Sequence, residues 1–186
     1  MKKYLPIILL IVLGLSTRLL PHLPNFTAIG AVAIFAGRYL PRRYALVLPL
    51  TAMFISDLFI GFYSIPMMVA VYSGFALMSY LGARTQNYGW QTVAGNTIVG
   101  SFLFYIITNW AVWAFGTMYP HTLTGLTTSY YLALPFWRNS LMADMFYTVV
   151  LVGGYELCLL WLQSTNIQIL NNFKIQIPNV KTNPKS

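Results

Sequence analysis

The stretch TVAGNTIVGSFLFYIITNWAVWAF, residues 92 to 115, contains no charged side chain. A helix needs roughly 20 consecutive apolar residues to cross a bilayer, and this stretch is long enough. Over the whole chain 58% of the residues are hydrophobic and 8% are charged, whereas an ordinary soluble domain carries roughly 25% charged residues. The sequence therefore predicts an all-α integral membrane protein.

Six apolar runs are separated by charged residues, Pro or Asn, and they predict about six transmembrane helices. They lie at residues 4–20, 26–40, 44–63, 65–83, 92–115 and 141–163. The run 26–40, about fifteen residues long, is marginal for a bilayer core. Its small residues, including the pair Ala33 and Gly37, predict close packing against neighbouring helices. We expect one transmembrane domain, residues 1–170, and a polar cytoplasmic tail, residues 171–186.

The positions of the basic residues predict the orientation, because Lys and Arg near span ends favour the cytoplasmic side. With six spans and both termini cytoplasmic, only Arg18 and Arg138 face outward. A five-span arrangement, in which residues 26–40 do not cross, places three basic residues outside and remains an alternative. In the six-span arrangement nine basic residues are cytoplasmic: Lys2, Lys3, Arg38, Arg42, Arg43, Arg84, Lys174, Lys181 and Lys185.

Eight polar residues from four separate stretches converge on the outer leaflet in this arrangement, and we take them as candidate substrate-binding residues. They are His22, Asn25, Asp57, Tyr63, Asn109, Arg138, Asn139 and Asp144. A carboxylate at mid-bilayer costs about 2.5–3.5 kcal/mol and is usually paired. We expect Arg138 as the partner of Asp57, with Arg18 as the second candidate. A purely structural ion pair is the alternative.

Asp144 has a simpler explanation, because it falls in the first turn of the predicted span 141–163. A carboxylate there is favoured by the helix dipole whatever the function. The preceding stretch, Thr117 to Asn139, is longer than a connector needs to be and carries several aromatic residues. It predicts either an aromatic belt at the membrane interface or a lid over an outward pocket.

Several functional classes lack their sequence signatures. The chain contains no nucleotide-binding P-loop, no H-E-x-x-H and no G-x-S-x-G, so we expect no enzyme activity and no cofactor. The net charge of +8 reports membrane orientation rather than nucleic-acid binding, since no basic stripe is present. The expected partners are a small-molecule substrate and the lipid bilayer.

Three motifs carry a resemblance to a known family: RLLPHLPNFTAIGAVAIFAGRY, SDLFIGFYS and ALPFWRNSLMADMFYT. They resemble S-component-like bacterial transporters, and in particular the solitary cobalamin-specific (BtuM-type) S-components of energy-coupling factor transporters. The resemblance implies six helices, both termini in the cytoplasm of a bacterial cell, and an outward substrate pocket. It also implies that His22, Asp57 and Arg138 are pocket residues.

The resemblance further implies a way of holding cobalt. Some of these proteins ligate cobalt through a cysteine that follows the aspartate, but residues 64–80 contain none. His22 is then the remaining axial ligand for a corrinoid, and no other metal site is expected.

The function predicted from these features is capture of a vitamin-like or corrinoid solute at a bacterial inner membrane. Either a coupling subunit with ATPases drives its uptake or the chain acts alone. Two alternatives are a structural or assembly protein, with a filled core, and a small enzyme acting on lipid headgroups through two adjacent carboxylates.

Overall fold

The computed structural model describes residues 5–21 and 23–176, and these residues form helices joined by short connections. Two compact units, residues 1–151 and 152–186, divide the chain. A π-helical turn, Val149–Gly153, follows the sixth helix. The helices are α1 (Leu5–Leu19), α2 (Ile29–Tyr39), α3 (Arg42–Ile60), α4 (Ile65–Ala83), α5 (Trp90–Phe115), α6 (Leu123–Thr148) and α7 (Gly154–Gln176).

Four helical segments in the described part of the chain are long and apolar enough to cross a membrane. They are α3, α4, α5 and the continuous helical run Leu123–Thr165. The predicted all-helical fold is confirmed, with four candidate membrane spans among the described residues where the sequence predicted about six. Helices α1 and α2 are apolar but shorter. With 11 residues at about 1.5 Å each, α2 spans roughly half of a 30 Å hydrocarbon core, so this helix is too short to cross by itself.

Helix α2 occupies the centre of the first unit. It contacts α1, α3, α4, α5 and α6, and every residue from Ile29 to Gly37 is buried. A methyl group at Gly37 would overlap the backbone carbonyl of Ser79, and one at Gly82 would overlap the carbonyl of Ile34. Helices α2 and α4 therefore pack backbone against backbone, which confirms the close packing predicted from the small residues.

Basic residues cluster at one end of the first unit, which we call the basic end. The guanidinium group of Arg38 donates hydrogen bonds to the carbonyls of Thr85 and, at 3.1 Å, Tyr88. These bonds join the end of α2 to the α4–α5 connection. Arg42 begins α3 and Arg84 follows α4. The α3–α4 loop, residues 61–64, lies at the opposite end, which we call the loop end.

Residues 117–139 were predicted to precede the last span, as an aromatic belt segment or a lid, but most of them are helical. Helix α6 begins at Leu123 and runs to Thr148, so the aromatic residues of this stretch after Tyr119 belong to a helix. Thr122 is its N-cap, and its hydroxyl accepts a 3.1 Å hydrogen bond from the amide of Gly125.

The last helix, α7, extends to Gln176 and so enters the stretch predicted as a polar tail, residues 171–186. Residues 177–186 lie outside the part of the chain that the structure describes.

Candidate functional site

A cavity of about 520 Å³ opens at the loop end of the first unit. Its walls come from the last turn of α1, the described part of the α1–α2 loop (residues 20–28), the first turn of α2, and the neighbouring parts of α3, α4, α5 and α6. Four of the eight candidate residues line this cavity: Asn25, Tyr63, Asn109 and Asp144. Of the seven candidates that the structure describes, Asp57, Arg138 and Asn139 do not line the cavity.

Arg18 lines the cavity, and its guanidinium group forms an ion pair with Asp57, which does not line the cavity. Its Nη2 lies 2.7 Å from Oδ1 of Asp57, which is completely buried. Arg18 Nη1 donates to the Ser56 hydroxyl at 2.7 Å, and the Tyr72 hydroxyl donates to Asp57 Oδ2 at 2.8 Å. Oδ2 of Asp57 therefore accepts a hydrogen bond, and Arg18 balances the charge of the buried carboxylate.

The expected pair between Asp57 and Arg138 is corrected by this geometry. Arg18, the second candidate, is the partner of Asp57, whereas Arg138 is exposed and is not among the residues that line the cavity. Arg18 lies in the last turn of α1, beside Asp57 of α3, and α1 packs on α3. Arg138 is on α6, for which no contact with α3 is found in the described part of the chain.

Helix α6 fixes the α1–α2 loop over the cavity. Asn139 Nδ2 donates to the carbonyl of Pro24 at 3.1 Å, and the Ser140 hydroxyl donates to the carbonyl of Asn25 at 3.4 Å. Asn25 has a positive φ of 61°, a conformation that Asn tolerates better than most residues. Asn139 thus positions the loop and does not itself line the cavity.

Asp144 is the buried carboxyl group of the cavity wall, with 7% of the residue exposed. It lies in the second half of α6, so the first-turn explanation offered by the sequence was wrong. The carboxyl group instead packs against Gly30, where a methyl group would overlap it, and the Ser101 hydroxyl lies beside it. Gly30 is in the first turn of α2, whose dipole favours a negative charge at that point.

Tyr63 completes the wall from the α3–α4 loop. Burial, and after it the charge of Asp57, raise the pKa of its hydroxyl above the usual value of 10. Tyr63 is therefore neutral at any physiological pH. It offers the cavity a hydroxyl group and no charge.

Aromatic rings form much of the remaining wall, and none of them was among the candidate residues predicted from the sequence. Tyr105 and Trp137 stack with centroids 5.3 Å apart, and Phe75 and Phe104 approach to 4.6 Å. Their spacing is a signal that could have been used. On α5 the lining residues are Phe104, Tyr105, Thr108, Asn109 and Val112, and on α6 they are Ala133, Phe136, Trp137, Ser140 and Asp144, which is one helical face in each case.

His22, the predicted axial ligand, lies outside the residues that the structure describes. Among the described residues, no group of three or more His, Cys, Asp or Glu side chains is arranged to hold a metal ion. The cavity is therefore defined by its shape, its aromatic rings and the polar groups named above.

Residues 1–167 match a family of unknown function, DUF6580. The chain belongs to this family. All the residues that line the cavity fall within the DUF6580 match. No curated protein matches the chain, and no solved structure does.

Proposed function

We propose that this DUF6580 protein is a membrane transport subunit that captures a vitamin-like solute in the cavity at its loop end and moves it inward. The observation that carries the proposal is a cavity of about 520 Å³ within a bundle of apolar helices. Sites for drug-sized ligands occupy about 300–1,000 Å³ and combine apolar walls with a few polar groups. A structural or assembly protein would be expected to fill this space with side chains.

The arrangement of the carboxyl groups favours binding over catalysis. A headgroup enzyme acting through Asp57 and Asp144 would need both groups to face the substrate. Asp57 is fully buried and bonded to Arg18 and Tyr72, whereas Asp144 lines the cavity. One lining carboxyl group among aromatic rings is better suited to recognising a solute than to acid–base chemistry by a pair.

The volume of the cavity limits the size of the solute that it can enclose. A complete corrinoid is larger than a drug-sized ligand, so part of a bound cobalamin would project from the cavity, with His22 near its cobalt. A smaller vitamin-like molecule would be enclosed. Because no nucleotide-binding motif is present in the sequence, energy for uptake would come from a coupling subunit with ATPases, or the protein would act alone as a facilitator.

The orientation is part of the proposal and gives the first prediction. The basic end, with Arg38, Arg42, Arg43 and Arg84, is proposed to face the cytoplasm of a bacterial cell, because positive residues favour that side. The cavity would then open outward. Reporter fusions after Arg43 and Arg84 should report a cytoplasmic location, and a fusion at Ser64 should report an external one. A cytoplasmic signal at Ser64 would contradict the proposed orientation.

Ligand binding in the cavity is the second prediction. Purified full-length protein is screened by thermal shift against aquocobalamin, cobinamide and a panel of smaller vitamins. At least one compound should raise the melting temperature, because a ligand that binds only the folded state stabilises it by mass action. At about 100 μM even a weak site begins to fill. If no compound of the panel has an effect, the proposed uptake function fails.

Two adjacent substitutions on α6 locate the binding. Ala133 lines the cavity, and Ala133→Trp should place an indole in it and weaken binding of the hit at least tenfold. Leu132 is 51% exposed and does not line the cavity, so Leu132→Trp should leave the affinity unchanged. Equal effects of the two substitutions would show that the compound binds elsewhere.

A further inference from the structure

We infer that the solute is an organic cation with a planar aromatic ring, whose positive charge pairs with Asp144. This inference rests on the proposed function and names the class of its substrate. It follows from three features of the cavity wall: the balance of charges, the direction of the hydrogen bonds and the aromatic rings.

With Asp144 ionised, the charge balance of the wall is negative. Arg18 and Asp144 are its two charged lining residues. The charge of Arg18 is neutralised by Asp57 at 2.7 Å. Asp144 forms no ion pair with any basic side chain that the structure describes. A carboxylate at membrane depth normally has a cationic partner, and here the solute would supply it.

Three polar groups of the wall each present an acceptor oxygen to the cavity. The hydroxyl of Tyr105 donates to the carbonyl of Tyr130 at 2.7 Å, and that of Thr108 donates to the carbonyl of Phe104 at 2.8 Å. Asn109 Nδ2 donates to the carbonyl of Tyr105 at 2.8 Å, which leaves its Oδ1 as an acceptor. Asn109 keeps a second N–H donor, but the oxygens of Tyr105, Thr108 and Asn109 complement a solute that brings N–H donors or positive charge.

The aromatic rings add a second means of holding a cation. Trp137 and Tyr105 stack within the lining, and Phe75, Phe104 and Phe136 line the same cavity. The face of an aromatic ring attracts a cation, and the effect is stronger where water is excluded. Flat rings also accept a planar solute by stacking. Charge, acceptors and aromatic surface therefore favour the same class of ligand.

The position of Asp144 argues that its role is recognition in addition to packing. The carboxyl group is held by Gly30, which leaves room for it, and the dipole of α2 favours its charged form. Both features hold the carboxyl group at one point of the wall, where a bound cation would favour its charged form. Pairing with this carboxylate would orient a cationic solute with its positive group toward α2.

The test uses nicotinamide derivatives that share a ring and differ in charge. The probes are 1-methylnicotinamide, a permanent cation, nicotinamide, which is neutral, and nicotinate, an anion, with thiamine as a larger cation. Binding to the purified full-length protein is measured by calorimetry and thermal shift. We expect 1-methylnicotinamide to bind at least tenfold more tightly than nicotinamide, and nicotinate more weakly than either.

Two variants assign the selectivity to the cavity. Asp144→Asn keeps the shape and removes the charge, so the preference for 1-methylnicotinamide over nicotinamide should fall to less than twofold. Asn109→Lys places a positive charge in the same wall and should also abolish cation binding. This second variant keeps the test decisive if the first does not fold.

Three results would overturn the inference. They are equal binding of 1-methylnicotinamide and nicotinamide, cation binding that survives in both variants, and no binding of either cation at about 10 mM, well above a weak dissociation constant. If neutral vitamins then still bind and Ala133→Trp blocks them, the uptake function stands and only the substrate class is lost. If nothing binds, both proposals fail.

Discussion

Arg18→Met is expected to destabilise the protein by about 3–5 kcal/mol, because it leaves the carboxylate of Asp57 buried without its counter-charge. Asp57 is completely buried and its Oδ1 lies 2.7 Å from Arg18. Asp57→Asn should cost a similar amount for the converse reason, since Arg18 then loses its partner. Unfolding in mixed micelles, followed by circular dichroism, measures both free energies.

The double variant shows whether Arg18 and Asp57 stabilise the protein as a pair or independently of each other. Residues in direct contact show coupling energies of about 0.5–3 kcal/mol, so Arg18→Met combined with Asp57→Asn should cost less than the sum of the single changes. Arg138 provides the matched control, because it is an exposed arginine of the same protein. Arg138→Met should change stability little and add to Asp57→Asn within about 0.5 kcal/mol. Coupling of Asp57 to Arg138 instead would refute the pairing described here.

The long apolar helices could be predicted from the sequence because charge is excluded from the bilayer core. Residues 92–115 were predicted as a span, and α5 covers Trp90–Phe115. The central burial of α2 could be predicted for another reason. A run rich in Ala and Gly that is too short to cross the bilayer stabilises the protein only where helix backbones approach closely.

The partner of Asp57 could not be predicted, because placing residues in the same leaflet does not say which helices are neighbours. Arg18 and Arg138 both fall at the loop end by charge counting, and only the packing of α1 on α3 distinguishes them.

The start of α6 could not be predicted because its residue types do not distinguish a helix from an interfacial segment. Threonine and aromatic residues, as in Thr127 to Tyr131, are common both at membrane interfaces and in helices.

The cavity lining could not be read from hydrophobic periodicity. In a soluble protein the solvent-exposed face of a helix is polar, so the apolar residues identify the face that packs against the core. In α5 the faces toward lipid and toward the cavity are both apolar or aromatic, as with Phe102, which is 45% exposed, and Tyr105, which is buried. The polar residues Thr108 and Asn109 mark the cavity side only once the helix is placed among its neighbours.

The close packing of α2 against α4 leads to the second large effect. Gly37→Ala should destabilise the protein by about 3 kcal/mol, at the upper end of the usual cost of overpacking. The added methyl group would meet the backbone carbonyl of Ser79 and lie 2.8 Å from the amide nitrogen of Ala83. Backbone atoms cannot turn aside as a flexible side chain can, so the two helices must separate. Unfolding in mixed micelles, as for Arg18, gives the size of the loss.

Gly95→Ala is the matched control for this prediction. Gly95 is also a helical glycine, but it is exposed on α5 and no atom lies within 4 Å of an added methyl group. Its replacement should be neutral or stabilising by up to about 1 kcal/mol, since Ala is the better helix former. Gly82→Ala, which would strike the carbonyl of Ile34, should behave like Gly37→Ala. If Gly37→Ala and Gly95→Ala had the same stability, α2 and α4 could not be in backbone contact, and the central position of α2 would be wrong.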